Sequence, residues 1–499
     1  MNGPGPLSIL IGGPIAGALL CLLVPARMRH AVALAASLAL LGFAAVVAAQ
    51  FDPSNAQLQF EERVAWIPAL GAEYRVGLDA SSVGFVLLTA VLIPLVLIGL
   101  DRTLGRDRAF LSLTLGLQGM LFGVFLAQNF LLWFLCYELT LIPAYLLIRL
   151  WGGPARAPAA LQFFLTTQAG GMAMLIGFLA LFSATNTLDL PTLASLGQAG
   201  KLGLASTLGF PHAGAVIFGL ILLGLAVKIP LMPVHTWLPS AYAEAPAPVT
   251  MLLTGLLSKL GLYGLFRLLI PLFPAELAAF RGPLVALATL TVISSALAAL
   301  AQSDLKRIFA YSSISHLGLC ALALFATAGR AVPGGSDPGT TGALLLALNH
   351  GITAPALFWF AGILEARSGG QRELTAFGGL RAQMPVLAGM MGLAIFASLG
   401  LPGLNGFPGE LLIFRGLLPA SPVAGAIALC GLLVTAVFLI RMMHGVFHGP
   451  LRSGHTNWAD LTGRERLIGS LFVLAMVALG LWPRFLTDLF AQMPGGLLP

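Results

Sequence analysis

Fourteen apolar runs, most near the ~20 residues that carry a helix across a ~30 Å hydrocarbon core, fill this 499-residue chain. They fall at 7–24, 31–50, 82–100, 109–127, 130–148, 158–183, 213–232, 247–270, 283–301, 306–327, 340–364, 383–417, 421–443 and 467–484. No ten-residue segment alternates polar with apolar residues, so a membrane β-barrel is excluded. Charged residues are 9% of the chain, against roughly 25% in soluble domains, too few to solvate a globule of this size. The expected fold is an all-α polytopic membrane protein of about 14 transmembrane helices. No connection is long enough for a soluble domain; the longest are 51–81 and 184–212.

Basic residues orient the bundle. Flanking or between spans 1–2, 3–4, 5–6, 7–8, 9–10, 11–12 and 13–14 are 16 Lys and Arg, including Arg102, Lys306, Arg372 and Arg452. The other side carries 8, among them Arg63, Arg75 and Arg267. Cytoplasmic loops are the basic ones, which places both termini outside the cytoplasm. The net charge of +7 is therefore topology, and a nucleic-acid partner is not expected. Cys21, Cys136, Cys320 and Cys430 sit inside apolar runs with no metal-ligand spacing, and read as buried, inert thiols. Residues 7–24 read as a retained first span, with no basic segment ahead of them.

Four charges remain inside the spans: Glu138 in span 5, Lys228 at the end of the apolar part of span 7, Lys259 central in span 8 and Glu410 in span 12. A charge at mid-bilayer costs roughly 2.5–3.5 kcal/mol on insertion scales, so such residues face the bundle interior and find partners. His316 in span 10 and His350 in span 11 add titratable groups at membrane depth. Structural ion pairs would explain the four charges alone. Carboxylates, amines and imidazoles together form a set able to pass a proton along. His235, in Pro233-Val234-His235-Thr236-Trp237, reads either as an interfacial anchor or as a proton input towards Lys228 at the cytoplasmic end of span 7. His444 and His448 have metal-like i, i+4 spacing without a third ligand nearby.

Spans 7 and 12 are interrupted, by Pro230 and Pro233 in one and by Pro402 and Pro408 among glycines in the other. Proline removes a backbone donor, tolerated at membrane depth where the chain lines a cavity. Taking spans 4–8 and 9–13 as two five-helix units puts each break in the fourth helix. An odd helix number makes such repeats inverted, and matched broken helices in inverted repeats point to an ion path. The organisation expected is 1–107 for three N-terminal spans, 108–270 and 271–447 for the two repeats, and 448–499 for a loop and span 14.

At these residues the chain resembles a known family. Segments KIPLMPVHTWLPSAYAEAPAPVTMLLTGLLSKLGLYGLFR beginning at Lys228, QSDLKRIFAYSSISHLG at 302–318 and LGLPGLNGFPGE at 399–410 are similar to the antiporter-like membrane subunits of proton-translocating NADH–quinone oxidoreductase, respiratory complex I. The outward loop FEERVAWIPALGAEYRVGLD at 60–79, the stop after span 14 and a Glu at 410 favour the M family over its sisters L and N. Tyr137 stands where the resemblance leads one to expect Trp.

The resemblance implies proton transport driven by quinone reduction in other subunits. Glu138 and Lys228 would form a pair, Lys259 would be the central carrier, His316 and His350 the links and Glu410 the terminal carrier. No cofactor is implied on this chain; NADH, FMN, iron–sulfur clusters and quinone belong to other subunits. Partners would be the other membrane subunits, notably L and N, and the bilayer of a bacterial inner membrane. While Glu138 neutralises Lys228, Lys259 can hold a proton; a freed charge ~7 Å away, at an effective dielectric near 20, costs about 2.4 kcal/mol and favours release. A subunit of a cation/proton antiporter or membrane-bound hydrogenase shares the same four charges, and a passive scaffold would use them only for packing.

Overall fold

The structure, a computed structural model, describes residues 5–491 apart from Ala56, Arg102, 331–336 and 452–457. Arg102 and Arg452 thus lie outside the described residues. Every apolar run is helical over most of its length. The chain opens with α1 (Pro6–Leu23) and α2 (Ala26–Ala49), then a hairpin of β1 (Gln59–Ile67) and β2 (Ala72–Leu78). There follow α3 (Val83–Gly99), α4 (Arg108–Leu126), α5 (Phe130–Trp151) and α6 (Arg156–Thr185). After two short helices come α7 (Ala213–Lys228), α8 (Trp237–Glu244), α9 (Ala247–Leu272) and α10 (Pro274–Leu300). The second half is α11 (Leu305–Thr327), α12 (Pro338–Arg367), α13 (Pro385–Ser398), α14 (Gly406–Ala420) and α15 (Pro422–Phe447), closed by α16 (Gly463–Leu481) and α17 (Arg484–Ala491).

Among the described residues ten helices are long and apolar enough to cross a membrane, eleven if α16 and α17, bent by 63°, form one span. The apolar helices α3, α7 and α13 have 17, 16 and 14 residues, only about 21–26 Å of rise. The expected fourteen is therefore not fixed by helix length, because two runs are split. Run 383–417 is two helices with a break at 399–405, and run 213–232 stops at Lys228 with α8 taking up the path at Trp237.

Local sequence places the ends. Asp107, Asn129, Asp304 and Asp337 each cap a helix by accepting bonds from its first free amides. Thr462 and Glu465 form a reciprocal capping box on α16. One cap is tertiary: Glu62, on β1, accepts from the amides of Leu7 (2.6 Å) and Ser8 (3.2 Å), setting a carboxylate on the positive end of α1. Residues 60–79 thus form an antiparallel hairpin at one end of the bundle, the one β-sheet among the described residues. No periodicity in 51–81 marks it as more than loop.

A central layer is made by α9, α11 and α12. Every residue from Val249 to Phe273 is buried, as are most residues of α11 and α12. A helix apolar all round is stable only when surrounded by other helices, and α12 packs against both neighbours. Outer helices α1, α2, α6 and α15 leave leucines and valines exposed on one face, as expected of lipid-facing surfaces. Cys430, on α15, is exposed on that outer face, contrary to the expectation of a buried thiol; Cys21, Cys136 and Cys320 are buried.

Candidate functional site

Lys259 is fully buried in α9, and its helix is not regular. Two π-helical turns, Leu253–Leu257 and Leu265–Leu269, flank the short α-helical stretch that carries it. Such turns often mark functional positions, and nothing in the apolar pattern announces them. The ammonium has three donors, and all three are used. Nζ donates to the Thr254 carbonyl (2.5 Å) and to Ser258 Oγ (3.2 Å), and its third contact is His350 Nδ1 at 2.7 Å. Two positive charges ~2.7 Å apart at an effective dielectric near 20 repel by about 6 kcal/mol, so Lys259 and His350 favour a single proton between them.

His350 on α12 faces His316 on α11, ring centres 5.6 Å apart. His316 Nδ1 lies 2.8 Å from the Ser312 carbonyl and Nε2 3.1 Å from that of Ser398. Ser398 ends α13, so its carbonyl is one that the break leaves free. A neutral ring donates to only one of the two carbonyls; a protonated ring donates to both. Glu410 Oε1 lies 3.8 Å from His316 Nε2, buried and without a hydrogen-bond partner. A cavity of about 20 Å³ lies among Ser312, His316, Asn349, His350, Thr353 and Glu410. That is room for about one water. The structure therefore assembles Lys259, His350, His316 and Glu410 from four helices into one line of titratable groups.

Glu410 stands one turn into α14, whose N-terminus follows the break. Pro408 occupies the first turn of α14, where its missing amide was unpaired anyway; the break belongs to 399–405, with Pro402. The unwound segment is held to α12 by reciprocal bonds: Asn349 Nδ2 to the Asn405 carbonyl (2.5 Å) and Asn405 Nδ2 to the Asn349 carbonyl (3.1 Å). Thr353 donates to Asn405 Oδ1 (3.1 Å). Gly400, at φ +67°, lies against the Glu410 carboxylate, which an added Cβ would strike.

The first break is organised differently. Lys228 is the last residue of α7, at the negative end of a half-helix. Trp237 Nε1 donates 2.9 Å to the Val227 carbonyl that the break frees, and the Met232 amide donates 3.0 Å to Thr291 Oγ1. Ile229 packs on α9 at Gly261, two residues past Lys259. The expected contact between Lys228 and Glu138 is absent: no ion pair within 4.0 Å joins these two described residues. Lys228 Nζ instead lies 4.6 Å over the Tyr137 ring. Glu138 is half-buried, turned towards Gly171 of α6, with Oε2 sealed and unpartnered. Neighbours on a helix point about 100° apart, so Tyr137 and Glu138 offer Lys228 different directions.

His235 lies inside the break, not at the end of span 7, because α8 carries the chain on to Glu244. It is half-buried, 6.5 Å from the Tyr311 ring, with Nδ1 unpartnered. No hydrogen bond or ion pair among the described residues links it to Lys228. His444 and His448 stack, ring centres 5.3 Å apart.

Charges that the basic-residue count assigned to loops also prove buried or half-buried, in ion pairs. At the hairpin end, Arg267, only 2% exposed, pairs with Asp79 at 2.6 Å and with Gln128. At the opposite end, Lys306 pairs with Glu365 (2.6 Å), and Arg372 with Glu244 and Asp304 (both 3.1 Å). Lys306 also donates to the Ala245 carbonyl (3.1 Å) just past α8. Arg372 falls in the glycine-rich 366–373 stretch, so that loop clasps the end of α8 to the start of α11.

Residues 127–437 match the family described as NADH:quinone oxidoreductase/Mrp antiporter, TM. This chain belongs to that family. The matched region holds every member of the titratable line and both broken helices. Among family relatives, the chain is 33% identical over 505 residues to NADH-quinone oxidoreductase subunit M of Rhodobacter capsulatus, covering 97% of this chain and 94% of the relative. It is 33% identical over 444 residues to the subunit M of Rickettsia bellii, covering 88% and 86%. A chain of the solved respiratory complex I from Thermus thermophilus with bound NADH superposes with a TM-score of 0.84 at 29% identity, covering 98% of this chain and all of that one.

Proposed function

We propose that this chain is the M-type antiporter-like subunit of a proton-translocating NADH–quinone oxidoreductase. It passes protons along Glu138, Lys228, Lys259, His350, His316 and Glu410 while quinone is reduced in other subunits. The observation that carries this reading is the 2.7 Å contact of Lys259 with His350 at the head of a line ending on Glu410. Four helices contribute one group each, and Glu410 Oε1 is left without a hydrogen-bond partner. Glu410 also borders the cavity with room for about one water, where a carboxyl group can exchange a proton with His316.

The sequence of events follows from charge. With Lys228 neutralised by Glu138, Lys259 keeps its proton. With Lys228 drawn away, its charge acts on Lys259, and the proton's nearest acceptor is His350 Nδ1. His316 relays to Glu410, with a water able to fit the cavity between them. The separated arrangement of Glu138 and Lys228 corresponds to the release arm. The two five-helix units, 108–270 and 271–447, are inverted repeats in this reading, each with its fourth helix broken beside a charge. Orientation follows the 16 to 8 split of basic residues, with both termini on the non-cytoplasmic side of a bacterial inner membrane. The lateral partners are the sister subunits L and N. NADH, FMN, iron–sulfur clusters and quinone are held elsewhere in the complex. His235 remains an input candidate by position in the break, supported by its unpartnered Nδ1.

Glu138→Gln tests the reading. The expected result is a complex that assembles, by native gel and subunit mass, but loses most proton translocation and coupled NADH oxidation. Near wild-type translocation in the assembled variant would overturn it.

A further inference from the structure

The aromatic side chains of α5 form a ladder that ends on Lys228. Phe178 of α6 stacks on Phe130, Phe130 on Trp133 (6.5 Å between ring centres) and Trp133 on Tyr137 (4.7 Å, planes 23° apart). Lys228 Nζ lies 4.6 Å over the Tyr137 ring. Since Trp133 covers one face of that ring, the ammonium occupies the other. Trp133, Tyr137 and Lys228 are all buried. The carboxylate next in sequence, Glu138, has Oε2 unpartnered and no ion pair to Lys228. The lysine thus has two alternative partners on one turn of helix, and rests on the uncharged one.

We propose that Tyr137 is a positioning residue, an aromatic rest for the Lys228 ammonium that competes with Glu138 and holds the pair open. The inference rests on the gate role given to that pair above. An electron-rich ring face attracts a desolvated cation without neutralising it. A carboxylate in the same place would attract Lys228 and also cancel its charge. The ring keeps the charge intact, as release from Lys259 requires. It is also a weaker partner than a carboxylate, so Lys228 is not trapped. The Trp133 stack fixes the ring plane, and the last turn of α7 limits where the lysine stem can reach. The Trp that the family resemblance leads one to expect here would offer the same kind of face.

The test is a set of substitutions at 137 in the assembled complex. Phe and Trp keep a ring face; Leu and Met keep apolar volume without one. Tyr137→Phe and Tyr137→Trp are expected to retain proton translocation per NADH oxidised, whereas Tyr137→Leu and Tyr137→Met lower coupled turnover about five- to tenfold, within the roughly 2- to 30-fold that one cation–π contact is worth. If the ring only packs, the order reverses: the aliphatic variants are tolerated and the larger Trp is not. Structures of the assembled Phe and Leu variants give a readout independent of activity. Lys228 Nζ should stay over the ring in Tyr137→Phe and move within ion-pair distance of Glu138 in Tyr137→Leu. An unmoved lysine in Tyr137→Leu overturns the proposal, as does loss of assembly in both aliphatic variants. A Glu138→Gln complex that pumps normally would instead remove the gate reading, whatever position Lys228 takes.

Discussion

Lys259 Nζ on α9 and His350 Nδ1 on α12 are 2.7 Å apart, ninety-one residues distant in sequence. At that distance the two bases hold one proton more readily than two. Whatever changes the charge around Lys259 therefore moves that proton towards or away from His350, His316 and Glu410.

Lys259→Met removes the amine, and assembled complex carrying it should show no proton passage through this subunit. Lys259→Arg keeps the charge but stays protonated under all working conditions. It should fail as fully as Met, with quinone-coupled proton uptake into vesicles as the measurement. Retained pumping in the Arg variant would leave Lys259 only a fixed-charge role.

Glu410→Gln separates transport from scaffolding. The amide is nearly isosteric and satisfies any need for a polar residue beside His316, so a scaffold would not notice it. A terminal carrier needs ionisation, and quinone reductase activity and translocation should fall together in assembled membranes. Glu410→Asp should retain part of both, limited by reach. Full activity of the Gln variant would favour the scaffold reading at this position.

Gly400→Ala should disturb the same carboxylate from outside the titratable line. The left-handed backbone costs an alanine roughly 1–2 kcal/mol, and its Cβ would strike Glu410. Expected is a severalfold loss of coupled activity in complex that still assembles. Gly389→Ala, with nothing within 4 Å of the added methyl, is the matched control and should be silent. Equal activity of the two variants would show that the approach of Gly400 to Glu410 is not functional.

Arg267→Met leaves Asp79 with its charge unpaired beneath the hairpin. Breaking one side of a buried ion pair costs about 3–5 kcal/mol, so assembly should drop on native gels and in the thermal stability of purified complex. Arg267→Met combined with Asp79→Asn should recover much of that loss, because the double variant buries no lone charge and Asn keeps the oxygen that accepts from Ser81 and Ser82. A single variant as stable as wild type would mean the pair contributes nothing to holding the hairpin end.

The membrane class, the helical runs and the six groups of the proposed path were legible in the sequence because their physics is local or compositional. A charge costs too much in hydrocarbon to be accidental, and proline inside a helix removes a backbone donor wherever it stands. Glu138, Lys228, Lys259 and Glu410 declare themselves by residue type and depth alone. The same reasoning misplaced Arg267 and Lys306, which look like loop charges because they stand near helix ends, and become buried only when Asp79 and Glu365 arrive from other elements. Nor does it mark strands in loop 60–79, since two short strands are marked only by pairing with each other.

Sequence by itself determined which residues are expensive to place in a membrane, and so which must be explained. Tertiary structure decided what each of them touches. Charge, Pro and Gly are properties of a position on the chain. The 2.7 Å contact of Lys259 with His350, the 3.8 Å approach of His316 to Glu410 and the resting of Lys228 on Tyr137 rather than Glu138 depend on how separate helices rotate and break against one another. That rotation is set by packing across the whole bundle, by the Asn349–Asn405 staple and the Trp237 bond to Val227, which no local pattern encodes.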